Sequence, residues 1–183
     1  MVWGAARPTE AGFMVKFGSG GQETKCGRGS MIANTADVRE LLPRLVKELG
    51  VSKMLDAACG DANWISTIDL GCDYIGWDID PDHLKVARRK MPSGSFEQKD
   101  IRFDPIPSVD LVLLRHVLQH MTYADIFKVL GNIESAPNVL VTSHPVPENR
   151  EASNFFPLNL GRPPLFLEAR ETFQDENLEL WLI

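Results

Sequence analysis

Hydrophobic positions along this chain follow a helical period near its start and then fall into short apolar runs. In "NTADVRELLPRLVKELG" (34–50), Val38, Leu41, Leu42, Leu45, Val46 and Leu49 recur on one stripe, the spacing of an amphipathic helix. Asn34 or Thr35 is placed to cap this helix and Gly50 to end it. Pro43 is expected to kink or split it, because proline lacks an N–H and crowds the preceding turn. A regular alternation follows. "KMLDAA" reads as a first strand, and a helix of undefined length is expected from about Asn63. "DYIGWDI" reads as a second strand, and Asp80-Pro81 opens a helix through "DHLKVARRK". "GSFEQKD" is a weaker third strand and "VDLVLLRH" a fourth, apolar enough to be central in a parallel sheet. "TYADIFKVLGNI" is a helix capped by Thr122, and "NVLVTSH" a fifth strand.

Alternation of this kind predicts βαβ units and a doubly wound, mostly parallel sheet. The order breaks down over 143–177, where prolines sit among polar and aromatic residues. The aromatics Phe155, Phe156, Phe166 and Phe173 favour a packed cover there. "LELWLI" closes the chain as a strand. Residues 1–33 have no sustained period and read as an arm or loop, leaving 34–183 as a single domain.

Composition changes this picture little. The chain has 183 residues, 44% hydrophobic and 24% charged, which suits one soluble globular domain. Its net charge of -6 disfavours a duplex nucleic-acid partner, which needs a basic face. Three cysteines without CxxC spacing suit free thiols in a reducing cytoplasm, and no metal-ligand pattern is present. No run approaches a membrane span or a signal core, so a cytoplasmic protein without membrane contact is expected.

In open parallel sheets the ligand lies beyond the carboxyl ends of the strands. Four features fall there: 56–63, 78–80, Asp100-Ile101 and Arg115-His116. Asp78 lies 22 positions past Asp56, the spacing of an acid that accepts hydrogen bonds from a ribose diol. A pyrophosphate is disfavoured. Gly60 stands alone in its turn, Asp61 follows it, and the bulky Trp64 comes close behind where a dinucleotide loop needs further glycine. No Gly-Lys-Ser/Thr follows to make a Walker loop. The ligand that fits is an adenosine without phosphate and with positive charge, which describes S-adenosylmethionine.

With these residues assembled, the chain resembles the class I S-adenosylmethionine-dependent methyltransferases. "LDAACGDANW", "YIGWDIDP", "FEQKDI" and "VDLVLLRHVLQHM" stand in the places of their four motifs. "GRGSMIANTADVR" and "PLNLGRPPLF" extend the similarity to a group of small bacterial and phage methyltransferases over residues 27–183. The resemblance implies a Rossmann-like sheet with an antiparallel C-terminal strand, and S-adenosylmethionine converted to S-adenosylhomocysteine. Gly60 would approach the methionine moiety and Asp56 would shape the turn or meet the amino group through water. Ala57, Cys59, Asn63 and Trp64 of the same turn are assigned to the cofactor with them. Asp78 would bind the ribose, Asp100 and the Ile101 amide the adenine, and Ile79 would pack on its ring. Arg39 with Gly27, Gly29 and Ser30 would close over the methionine carboxylate. Relatives often carry an acid where this chain has His116.

Methyl transfer needs a general base only when the nucleophile holds a proton. His116 is the candidate base, with Arg115 beside it assigned to both cofactor and catalysis. His120 reads as a core or capping residue. Asn154, Asn159 and Arg162 are candidates for acceptor contact. The fourth strand ends in "RHVL", lacking the motifs of amino-directed and cytosine-C5 DNA methyltransferases, so a small polar acceptor, methylated on O or N by a monomer or homodimer, is expected. Two readings compete: a regulatory or cofactor-consuming protein that binds S-adenosylmethionine without methylating, and a nucleotide-dependent oxidoreductase. An open polar cavity at His116 would favour the transferase, and an apolar plug the non-methylating protein.

Overall fold

Short β-branched and apolar runs build the sheet that carries the site. The computed structural model describes residues 23–183, and residues 1–22 of the arm lie outside the described residues. Helix α1 (Ala36–Glu48) leads into strand β1 (Lys53–Ala57), followed by β2 (Asp73–Asp78), α2 (Pro81–Lys90) and β3 (Ser95–Gln98). Then come β4 (Leu111–Leu114), α3 (Tyr123–Ile133), β5 (Val139–Ser143), β6 (Glu171–Asp175) and β7 (Leu178–Leu182). The sheet runs β3-β2-β1-β4-β5-β7-β6. β1 to β5 pair in parallel, whereas β7 lies antiparallel to β5 and β6 antiparallel to β7. The expected Rossmann-like α/β sheet with an antiparallel C-terminal strand is thus observed. Strand order reverses between β1 and β4, which opens the crevice at their carboxyl ends.

Both faces of the sheet are covered. On one, Val38, Leu42 and Leu45 of α1 and Leu84 of α2 pack against Met54 and Leu111. On the other, Ile126 and Val129 of α3 meet Leu55, Val112 and Val141. The cover over 143–170 joins this second core through Phe156, Leu158, Leu160 and Leu165. Each such side chain, fully buried, contributes about 1.5–3 kcal/mol, which keeps an otherwise irregular segment in place. Phe155 and Phe166 remain exposed, so only part of the expected aromatic packing forms.

Four details depart from the sequence reading. The helix expected near Asn63 is reduced to one 3-10 turn, Ile65–Thr67, because the Ile65-to-Ile68 stretch is β-branched or polar and Gly71 soon ends it. Pro43 does not split α1, which runs as one helix from Ala36 to Glu48. Neither Asn34 nor Thr35 caps it by side chain: Asn34 donates to the Arg28 carbonyl and Thr35 to that of Ile32. The irregular segment also ends early, since 171–175 form β6, a hairpin with β7 turned by Glu176 at φ 56.

Candidate functional site

The turn after β1 sets the geometry of the site. Its backbone is strained: Ala58 (φ 89) and Ala62 (φ 54) are left-handed without being glycine, as is His116 (φ 58) after β4. Such residues cost on the order of 1–3 kcal/mol each and cluster where ligands bind. Gly60 (φ 57) lies between them, and a Cβ there would stand 2.5 Å from Cys26 Sγ. A side chain at Gly60 would therefore push the arm off the turn.

Arm, turn and strand ends enclose a cavity of about 550 Å³, within the usual range for a small-molecule site. At one end the Asp78 carboxylate accepts the Gly60 N–H at 2.8 Å and the Asp80 N–H at 2.8 Å. In a dinucleotide loop that glycine amide would turn to a pyrophosphate; here a carboxylate occupies it. His83 Nδ1 stands 3.6 Å from Asp78. Contact with Asp78 and then Cys26 raises its pKa to about 10, so this imidazole is charged at neutral pH. Ile79, 41% exposed, and the buried Ile101 supply apolar walls. Trp77 also lines the cavity, with an indole N–H that has no partner among the described residues.

Asp56, Asp61 and Asp100 behave differently from expectation. The buried Asp56 accepts the Tyr74 hydroxyl at 2.8 Å and does not line the cavity. Burial raises its pKa to about 7, against the lowering pull of Tyr74. Asp61 is held by Lys90 Nζ at 3.0 Å and Thr24 Oγ1 at 2.8 Å, so its charge is neutralised away from the cavity. Asp100 reaches the cavity, but Arg102 binds both of its oxygens, at 2.7–3.2 Å, and Arg102 also pairs with Asp125. An adenine amino group could use only the remaining lone pairs.

The arginines are corrected too. Arg39 does not reach the cavity: its guanidinium binds Thr35 Oγ1 at 3.2 Å and the Ile32 carbonyl at 3.3 Å. Arg115 forms a buried pair with Asp175, Nε to Oδ2 2.8 Å, and also donates to the carbonyls of Gly29 and Asn34. It lines the cavity, but these bonds engage most of its donors in clamping arm to sheet. Asn63 is likewise a brace, between Ser30, Glu23 and Lys90. Cys59 and Trp64 are buried outside the cavity, as is Ala57. Burial drives the Cys59 thiol well above its ordinary pKa. Gly27, Gly29 and Ser30 do line the cavity, together with the exposed Arg28.

At the opposite end stand His116, Gln119, His120, Met121, Asn154 and Phe155. His116 Nδ1 meets Gln119 Nε2 at 3.0 Å, whereas its Nε2 is buried with no partner among the described residues. Burial, then Arg115, lowers the His116 pKa to about 3, so the ring is neutral and a poor base at physiological pH. His120 Nδ1 lies 3.0 Å from the Asn154 carbonyl oxygen. Of the acceptor candidates only Asn154 reaches the cavity. Asn159 ties down its own loop through Val146 and Gly161, and Arg162 is exposed outside it. Sequence reading passed over Gln119, though an i, i+3 pair in "HVLQ" is what brings an amide to an imidazole. It also passed over Cys26 and His83, which have no local signal, and took Phe155 only as part of the cover.

S-adenosylmethionine fits this cavity by the chemistry of its walls. Carboxylates of Asp78, Asp80 and Glu176 line it, the lining cations Lys99, Arg102 and Arg115 are paired with Asp104, Asp100 and Asp175, apolar faces are present for a ring, and the Gly60 amide is taken.

Residues 54–136 match the family model of a methyltransferase domain. A trans-aconitate 2-methyltransferase of Methylobacterium nodulans is 34% identical over 95 residues, covering 49% of this chain and 36% of that protein. The chain thus spans about a third of the length of the curated relative it matches. Among solved structures, the PH0226 protein from Pyrococcus horikoshii OT3 shares the fold with a TM-score of 0.62 at 16% identity, covering 86% of this chain and 95% of that one. The mitomycin 7-O-methyltransferase MmcR aligns with a TM-score of 0.63 at 12% identity, over 79% and 52%. A TehB-like SAM-dependent methyltransferase from Corynebacterium glutamicum gives 0.51 at 19%, over 76% and 84%.

Proposed function

Because residues 54–136 match the model of a methyltransferase domain, we propose that this chain is a class I methyltransferase that transfers the methyl group of S-adenosylmethionine to an oxygen or nitrogen of a small polar molecule. The observation that carries this reading is a single cavity with two chemically distinct ends. One end holds a carboxylate on the Gly60 amide, and the other continues past His116 to Gln119, His120 and Asn154. A cavity that continues past His116 leaves room for an acceptor beside the cofactor. The similarity to a relative named for methylating trans-aconitate supports a small-molecule acceptor.

In this reading Asp78 accepts the ribose hydroxyls while the Gly60 N–H holds its carboxylate in place. Ile79 packs on the adenine and Ile101 meets its edge. The arm residues Gly27, Gly29 and Ser30, with Arg28 in place of Arg39, cover the methionine end. The cofactor supplies a methyl carbon already activated by a sulfonium. The chain's own task is alignment in a site shielded from water, where effective molarity removes much of the barrier. Incubation of the protein with methyl-labelled S-adenosylmethionine and a small-metabolite extract tests this. Label is expected in a low-mass product, reduced at least tenfold by Asp78→Ala. Label in protein or nucleic acid alone would contradict the proposed acceptor class.

A further inference from the structure

His116 and Gln119 suggest which form of acceptor the site takes. The Gln119 side chain is buried, 2% exposed, and its amide nitrogen stands 3.0 Å from His116 Nδ1. An amide N–H donating there makes Nδ1 the acceptor, so the proton of the neutral ring lies on Nε2. That Nε2–H is buried and has no partner among the described residues. A buried donor left unmatched costs about 1–3 kcal/mol, a cost that a bound acceptor atom would remove. Gly29 lies over the ring, since a Cβ on it would fall 3.1 Å from Nε2, so an acceptor reaches this atom when Gly29 shifts locally with Arg115 still holding its carbonyl.

We propose that the acceptor binds with an already ionised oxygen, on a carboxylate or an acidic phenol, and that His116 Nε2–H donates to that oxygen while Gln119 fixes the tautomer. This rests on the methyltransferase reading. The oxygen's lone pair forms the new bond to the methyl carbon, the carbon–sulfur bond breaks, and its electrons remain on sulfur as a neutral thioether. Charge balances and no proton is moved, so the chain needs no base. The walls agree with this. Phe155, 48% exposed, is buttressed by the rings of His120 and His144 at 5.5 and 6.0 Å, and offers an apolar face to a planar group. The charged and titratable groups around His116 are Arg115 beside it at the end of β4, His120 in the following turn, His144 after β5, Arg28 on the arm and Glu176 in the hairpin. Burial keeps His116 and His144 below the ordinary histidine pKa, so both rings stay neutral where such an acceptor is ionised.

Histidine-selective nitrogen NMR of the full chain with S-adenosylhomocysteine tests the proposal. At neutral pH the His116 ring is expected to carry its proton on Nε2. Benzoate or 4-nitrophenolate should shift that resonance saturably, and benzyl alcohol should bind at least tenfold more weakly. Response to benzoate alone assigns a carboxylate acceptor, and response to 4-nitrophenolate alone a phenolate. Gln119→Glu, which accepts from Nδ1 and bares Nε2, should weaken anion binding at least tenfold relative to S-adenosylhomocysteine. A proton on Nδ1 in the wild type, alcohol binding as tight as the anions, or no response to either anion overturns the inference. Failure to bind S-adenosylhomocysteine would instead overturn the methyltransferase reading beneath it.

Discussion

At the residue scale, two carboxylates on the neighbouring strands β1 and β2 have opposite fates. Asp78 is tied to the Gly60 and Asp80 amides and lines the cavity, whereas Asp56 is sealed against Tyr74. Asp78→Ala removes charge-assisted hydrogen bonds, each worth about 1.5–3 kcal/mol. Calorimetry should show S-adenosylhomocysteine binding weakened at least tenfold, and unchanged affinity would remove Asp78 from its role. Asp56 makes a pH prediction. Its folded pKa of about 7 lies above the ordinary carboxyl value of 3.8, so the folded state retains a proton that the unfolded chain has lost. Stability on this account falls as pH rises from about 4 through 7 and levels off above. Between about pH 5 and about pH 8, the wild type should lose on the order of 3 kcal/mol relative to Asp56→Asn. Urea unfolding at the two pH values measures this, and parallel pH dependences would contradict it. Asp78 could be read from the sequence because its spacing follows from strand length. The fates of Asp56, Asp61 and Asp100 could not, since Tyr74, Lys90 and Arg102 meet them only through the fold.

At the element scale, the Arg115–Asp175 pair joins β4 to β6, and Arg115 also holds the arm through Gly29 and Asn34. Arg115→Met leaves Asp175 buried and unpaired, which should cost about 3–5 kcal/mol in chemical unfolding. Adding Asp175→Leu should restore most of that stability. Affinity for S-adenosylhomocysteine should stay low in both variants, because neither can pin the arm. Full recovery of affinity in the double variant would show that the clamp on the arm is dispensable. Strands β1, β2, β4 and β5 were legible because parallel strands covered on both faces read as continuous apolar runs. Strand β6, "ETFQD", was missed because an edge strand with mostly exposed residues has no apolar pattern. Asp175 and its partnership with Arg115 were missed with it.

At the scale of the whole molecule, the sheet reverses direction between β1 and β4, and every feature of the site follows from that reversal. The carboxyl ends of β1, β2 and β4 meet at one crevice, the arm roofs it, and the cover after β5 supplies Asn154 and Phe155. The cofactor half is built by strand-end turns, whose residues keep fixed spacing in the sequence. The acceptor half is assembled from β4, the turn after it and an irregular cover, so its members share no period and only His116 and Asn154 were identified from the sequence. The central claim is that this crevice takes an adenosine with a positive charge and no pyrophosphate. Titration calorimetry of the chain with S-adenosylmethionine, S-adenosylhomocysteine and NAD tests it most directly. The two sulfur compounds should bind with one-to-one stoichiometry and NAD at least a hundredfold more weakly; NAD binding with no heat from S-adenosylhomocysteine would contradict the account.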